Sequence, residues 1–235
     1  MADSFADFGA MKNPLVITID GPAGAGKSTV AQMLAARLGL NYVDSGATYR
    51  AAALKVLEAE ASPEDEAVVV DIVGRAEIQF STDGSDSRIS LDGRDVSQAI
   101  RTPEVTSAAA KVSRLSQVRN KLIALQRSLV RGKGVVTEGR DIGTVVFPEA
   151  PLKIFLKADV KERARRRLHQ DREEGRVASL EQTAYDIGRR DQLDAERKIS
   201  PLVPAPDAVE IDSTDLTADQ VVERILDLVR ERNLI

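Results

Sequence analysis

The chain has 235 residues, enough for one main domain with an appendage, and its 43% apolar and 30% charged residues read as a soluble globular protein with a sizeable core. Cysteine is absent and His169 is the single histidine, which excludes disulfides, a thiolate nucleophile, cysteine-ligated metal sites and a poly-histidine metal site. Lys+Arg total 33 against 37 Asp+Glu, a net charge of −4 that argues against coating nucleic acid, where a net basic surface is needed.

The first thirteen residues carry Asp3 and Asp7 and no basic stretch, so they do not read as a secretory signal. Met11 stands just before the first strand as an alternative start. No apolar run approaches the ~18 residues that cross a bilayer. A cytoplasmic protein without a membrane partner is the expectation.

Short apolar runs then alternate with helical patterns, which predicts a parallel sheet. Strands are expected at Leu15–Ile19, Asn41–Val43, Gly134–Thr137, Leu152–Leu156 and Ala208–Ile211. Helices are expected at Lys27–Leu38 and Ala47–Glu58, then as one long helix from about Pro103 to Arg131, where Val112, Leu115, Leu122 and Leu129 recur at helical spacing. Asp159–Glu174 is a very polar helix. Ser179–Asp194 opens on the capping box Ser179/Gln182, and Thr217–Arg232 on Thr217/Gln220. Between Glu77 and Val96 the rhythm breaks: Asp83-Gly84 and Asp92-Gly93 separate short alternating runs, the mark of a three-stranded antiparallel insertion. Too poor in apolar residues for a core of its own, it should lean on the main domain. Pro201–Pro206 reads as a stiff connector.

Gly21-Pro22-Ala23-Gly24-Ala25-Gly26-Lys27-Ser28, followed by Thr29, fits G-x-x-x-x-G-K-[ST] between a strand and a helix. Glycines let backbone N–H groups turn toward phosphate oxygens, and the helix N-terminus adds partial positive charge. Lys27 is expected on the β- and γ-phosphates and Ser28 on Mg²⁺. This indicates a nucleoside triphosphate but not what receives its phosphate. A guanine-reading N-K-x-D run is absent, since Asn120-Lys121 continues with Leu122 and Ile123. A protein-kinase catalytic loop is absent too, since Val146 stands where Asn is required after Arg140-Asp141.

Four further clusters bear on the acceptor. They are Asp44-Ser45-Gly46-Ala47-Thr48-Tyr49-Arg50 after the second strand, Arg119 on the long helix, Glu138-Gly139-Arg140-Asp141-Ile142-Gly143-Thr144 after the next parallel strand, and Arg190-Asp191-x-x-Asp194-x-x-Arg197. Strand ends of an open parallel sheet face the ligand crevice. Arginine's planar fork pairs bidentately with phosphate. Lys161–Arg176 holds seven Lys/Arg against four acids and reads either as a solvated helix laced with ion pairs or as a lid over the triphosphate.

Together GPAGAGKST, DSGATYRAAAL, LDGRDVSQAIRTPEV, EGRDIGTVVFPEAPLKIFL and RRDQLDAERKISPLVPA resemble the bacterial cytidylate kinases, nucleoside monophosphate kinases, over nearly the whole chain after Leu15. The resemblance implies a single domain over 1–235 with a five-stranded parallel sheet of the P-loop type in three layers, and a phosphate-binding loop at 21–29. It also implies a monophosphate-binding region with the β insertion at about 45–131, and a mobile helical lid at about 159–178. For the lid, Arg163, Arg166 and Arg167 are the candidates because ERARRR resembles the lid helix of nucleoside monophosphate kinases. It implies that Ser45, Arg119 and Asp141 read cytosine, that Arg50, Arg140 and Arg197 hold phosphates, and that Arg190 and Asp194 hold the sugar.

The chemistry agrees. A carboxylate accepts from cytosine N4, a guanidinium donates to N3 and O2, and uracil would face both with like groups, a mismatch such sites reject by up to ~10⁴-fold. Lys27, Arg140 and Arg197 are the expected catalytic residues. Relatives often carry Asp where Glu138 stands; the longer carboxylate can still hold a magnesium-bound water beside Ser28. Some carry a sugar-contacting serine where Ala110 stands, so one ribose contact is missing. The expected reaction takes the γ-phosphoryl of Mg-ATP to CMP or dCMP by a monomer. A P-loop kinase of another small phosphorylated metabolite is the alternative. A nucleic-acid ATPase fits poorly with 3% aromatics.

Overall fold

The computed structural model describes residues 14–83, 86–130, 134–173, 178–197 and 199–235. Met11, Gly84, Arg131, Glu174 and Arg176 fall outside them, as do residues 175 and 177 of the lid segment.

Five strands form the central sheet: β1 (Val16–Asp20), β2 (Asn41–Asp44), β6 (Val135–Gly139), β7 (Leu152–Lys157) and β8 (Val209–Asp212), in the order β2-β6-β1-β7-β8, with every pair parallel. β1 reads VITID and is buried throughout, as a central strand covered on both faces must be. Its side chains alternate. Ile17 and Ile19 join α1 (Lys27–Leu38) and α8 (Ala218–Glu231) in the largest core cluster, whereas Val16 packs on the opposite face with Val43 and Val135. Helix α8 buries Val221, Val222, Ile225, Leu226 and Val229 and starts with a complete capping box, Thr217 with Gln220. Each of those five side chains contributes ~1.5–3 kcal/mol by leaving water.

A second core lies beside the sheet, among α2 (Ser45–Glu58), α3 (Glu66–Arg75), α4 (Pro103–Val112) and α5 (Ser116–Ser128). The antiparallel sheet β3 (Ile78–Asp83), β4 (Asp86–Leu91) and β5 (Arg94–Asp95) contributes Ile78, Ile89 and Leu91 to it. The insertion therefore shares the core of α2 and α4, as its low apolar content requires. Helices α6 (Val160–Glu173) and α7 (Leu180–Ala195) pack on each other and complete the fold.

Three sequence expectations need correction. The long helix from Pro103 is two helices: α4 stops at Val112, Ser113 closes it through its N–H to Ala109 O and its Oγ to Ala110 O, and Leu115 is extended before α5. The apolar spacing runs on through the break because α4 and α5 bury the same side. Helix α3 was not expected, since its Val68-Val69-Val70 run favours strand. Asp65 caps it by accepting from Val68 N, and Val69 and Val73 bury one face. The capping box expected at Ser179 is half made: Ser179 accepts from Gln182 N, but the Gln182 amide donates to Asp186 instead.

Candidate active site

The C-terminal ends of β1, β2 and β6 lie side by side, with Asp20 level with Gly139 and Asp44 level with Glu138. That register brings the glycine loop, the start of α2 and the segment Glu138–Asp141 to one edge.

The loop begins at Gly21 (φ 148°), where a Cβ would lie 2.0 Å from Leu156 O, so only glycine lets the chain leave β1 against β7. Lys27, 6% exposed, donates to Pro22 O at 2.9 Å and lies 4.0 Å from Glu138. Burial, then the neighbouring Arg140, lowers the Lys27 ammonium to about 7, against the pull of Glu138 and Asp20. Ser28 donates to Glu138 Oε1 at 2.6 Å, and the Tyr42 hydroxyl donates to the same oxygen at 3.4 Å. Burial raises Glu138 above the usual carboxylate range, and Asp44 adds to this while Lys27 opposes it.

Among the described residues no cluster of three or more His, Cys, Asp or Glu could cage a metal. One hydroxyl and one carboxylate beside a phosphate cradle nonetheless fit Mg²⁺, which binds through few protein oxygens, its own waters and substrate phosphates. Ser28 and Glu138 are that donor set.

The acceptor clusters converge on the same edge. Arg119 and Asp141 form an ion pair, 3% and 5% exposed, and Arg119 also donates to Ser113 O and lies over the Tyr49 ring at 5.5 Å. The break between α4 and α5 thus supplies the carbonyl that steadies Arg119. Arg50 donates to Asp44 at 2.6 Å, and Ser45 Oγ to Glu138 O at 2.6 Å. Arg140 donates to Asp194 at 2.9 Å, and Arg197 pairs with the other oxygen of that carboxylate. Burial would raise Asp194, but Arg140 and Arg197 outweigh it and hold its carboxyl low. Burial, then Arg140, lowers Arg190 to about 10; its Nε is buried without a partner, as are Arg197 Nε and Arg119 Nε. Among the described residues Arg50, Arg119, Arg140, Arg190 and Arg197 pair with only three carboxylates, Asp44, Asp141 and Asp194, with Glu138 near Arg50 and Arg140. Such an excess of buried, under-bonded guanidinium groups suits a polyanion.

Two of the three lid candidates reach the loop. Arg163 donates to Ala23 O at 3.1 Å and to Asp191 at 2.6 Å, joining α6 to the loop and to α7. Arg166 donates to Ala25 O at 3.4 Å and to Ser213 O at 2.6 Å. Arg167 instead pairs with Asp171 along α6 and is half exposed. His169 is exposed on α6. Pairing within the site also draws in Asp20 and Tyr42, which sequence reasoning did not select, and Tyr49, which it named only as part of the cluster after the second strand.

A family model described as cytidylate kinase matches residues 17–231. The cytidylate kinase of Geobacillus sp. (strain WCH70) is 44% identical over 222 residues, covering 94% of this chain and 99% of the relative. That of Caldanaerobacter subterraneus subsp. tengcongensis is 48% identical over 215 residues, covering 92% of this chain and 94% of the relative. Among solved structures, an uncharacterized protein from Eubacterium ventriosum is similar in fold over 92% of this chain and 98% of its own, at 13% identity and a TM-score of 0.52.

Proposed function

The chain belongs to the cytidylate kinase family, and we propose that its cleft transfers the γ-phosphoryl group of Mg-ATP to CMP or dCMP, giving ADP and CDP or dCDP. The observation that carries this reading is the convergence of Arg119, Asp141, Arg50, Arg140 and Arg197, from three separate stretches of chain and the end of β6, on the strand ends that hold the glycine loop.

Residues Gly21–Thr29 hold the triphosphate, main-chain N–H groups on its oxygens and Lys27 on the β- and γ-phosphates. Lys27 takes up charge as phosphate arrives, since an anion beside it raises its lowered pKa. Ser28, and Glu138 through a water, would hold Mg²⁺, which supplies charge neutralisation on the phosphates. Asp141 accepts from cytosine N4, Arg119 donates to N3 and O2, and Ser45 supports the base beside them. Arg50, Arg140 and Arg197 hold the acceptor phosphate. Arg190 and Asp194 face the sugar. Each charge-assisted bond contributes ~1.5–3 kcal/mol.

No general base is required. The second pKa of a phosphate monoester is about 6, so the attacking oxygen is already ionised at neutral pH. What remains is in-line positioning and neutralisation by Lys27, Arg140 and Arg197. Because Arg119, Asp141 and Asp194 are buried and paired, we infer that α6 and α7 lift to admit a nucleotide and that the carboxylate pairs exchange for ligand. Reclosure of Arg163 and Arg166 over the loop then keeps water from the phosphoryl group.

Initial rates with Mg-ATP and CMP, dCMP, UMP, AMP or GMP in turn test the reading. Cytosine nucleotides give the highest kcat/KM; equal turnover of UMP removes the assigned roles of Arg119 and Asp141.

A further inference from the structure

We propose that Asp20 is a positioning residue for base recognition: its carboxylate pins the turn that carries Asp141 and so sets the preference for cytosine over uracil. The inference rests on the reading of Arg119 and Asp141 as the pair that meets the base.

Asp20 ends β1, one residue before the glycine loop, yet its side chain serves neither the loop nor a cation by direct bond. Its two oxygens accept from successive main-chain amides, Ile142 N at 2.9 Å and Gly143 N at 2.7 Å. These are the first two amides after Asp141, so the carboxylate fixes the peptide plane that leaves the base-reading residue. Asp20 is 5% exposed. Two charge-assisted bonds offset part of what its burial costs; burial still outweighs them and leaves the carboxyl raised to about 6.

The turn from Ile142 to Val146 is a single wide helical turn with no cap from its own side chains. Its own main-chain bonds run from Val145 N and Val146 N to Asp141 O and from Phe147 N to Ile142 O, and groups outside it hold its two ends. Asp20 holds the start. Arg127 holds the end, donating Nε to Val146 O at 2.8 Å and Nη2 to Val145 O at 2.9 Å. Arg127 lies eight residues after Arg119 on α5, about two turns along the helix, so one rigid element sets both the arginine that meets Asp141 and the far end of Asp141's turn. The middle is seated tightly: a Cβ on Gly143 would lie 2.9 Å from Thr18 Oγ1, and Thr18 shares its face of β1 with Asp20. A turn held at both ends leaves Asp141 little freedom against the base, and a misplacement of about 1 Å at such a site costs on the order of 10²-fold.

Asp20→Asn tests this with little change of shape. An amide keeps one acceptor and turns its own N–H against the other main-chain amide. The KM for CMP is expected to rise about ten-fold with that for ATP within about two-fold, and the CMP-over-UMP ratio of kcat/KM to fall about ten-fold. A loss of folded protein alone lowers both rates together and leaves the ratio as it was. An unchanged ratio, or a rise in the KM for ATP in place of CMP, overturns the proposal. Should Asp20→Asn not fold, Arg127→Gln at the more exposed end carries the test, with a fall in the ratio of about three-fold expected and an unchanged ratio overturning it. Wild-type enzyme that uses UMP as well as CMP would instead remove the base-reading assignment on which the proposal rests.

Discussion

The two halves of the cleft are built from different materials. The donor half is one run of eight residues, Gly21–Ser28, whose ligand groups are mostly main-chain amides shaped by local glycine geometry. The acceptor half is assembled from side chains on α2, α5, the end of β6, and α7 with the residues that follow it, and it exists only once those elements have packed. The donor half leaves Gly24, Ser28 and Thr29 exposed, with Lys27 buried against Pro22 O. The acceptor half stands closed on itself, each binding arginine but Arg190 paired with a carboxylate that also belongs to the site. A cradle of backbone is ready before its ligand. A cleft of ion pairs must give up internal bonds to gain ligand bonds, which makes it selective at the expense of affinity.

The contrast breaks most sharply at Lys27. Lys27→Ala should lower kcat by about 10³-fold, the size lost with one preorganised electrostatic group, while calorimetry finds CMP affinity within about three-fold of wild type. An equal loss of CMP affinity would merge the two halves into one site. Arg119→Met comes next. Losing two charge-assisted bonds to the base should raise the KM for CMP about 10²-fold with little change for ATP. It also strands Asp141 in the interior, so thermal or urea unfolding should report a loss of about 3 kcal/mol or more.

A proton count sharpens the donor side. The empty protein holds Lys27 at about 7, below its usual 10.5, so at pH 8 the group is mostly neutral and bound triphosphate charges it. ATP binding at pH 8 should take up nearly one proton, read by calorimetry in buffers of different ionisation enthalpy. The uptake should shrink as pH falls below 7 and vanish in Lys27→Met. The smallest effect concerns the sugar. Ala110→Ser restores a hydroxyl on α4 and should move the CMP-to-dCMP ratio of kcat/KM toward CMP by a few-fold, the scale of one neutral hydrogen bond.

Sequence made the donor half legible because its chemistry is local: a strand, a glycine turn and a helix start are contiguous and each residue type is needed where it stands. The sheet was legible for a similar reason, since buried parallel strands such as VITID and LKIFLK are near-continuous apolar runs. Ser45, Arg50, Arg140 and Asp141 stand out by type and by their place after strands, whereas Arg119 on α5 and Arg190 and Asp194 on α7, with Arg197 beyond it, took their roles from the family resemblance; none could be joined, because nothing in a linear chain says that Asp194 bonds both Arg140 and Arg197. Helix α3 was hidden by β-branched residues that tertiary burial of Val69 and Val73 overrides. The break at Ser113 lacks the glycine or proline that would mark it. Asp20 and Arg127 escaped notice because their partners are main-chain groups of a turn with no sequence signature. Arg167 was selected with Arg163 and Arg166 because ERARRR resembles the family's lid helix; it shares their side of α6, yet it pairs with Asp171 one turn further on and does not reach the loop.

A crystal structure with CMP and a non-hydrolysable ATP analogue tests the division of the cleft most directly. The cytosine edge should lie within ~3 Å of Arg119 and Asp141, and the CMP phosphate should be gripped by Arg50, Arg140 and Arg197, in line with a triphosphate on Gly21–Thr29. A CMP molecule seated away from those arginines, with the Arg119–Asp141 pair still intact beside an occupied loop, would contradict it.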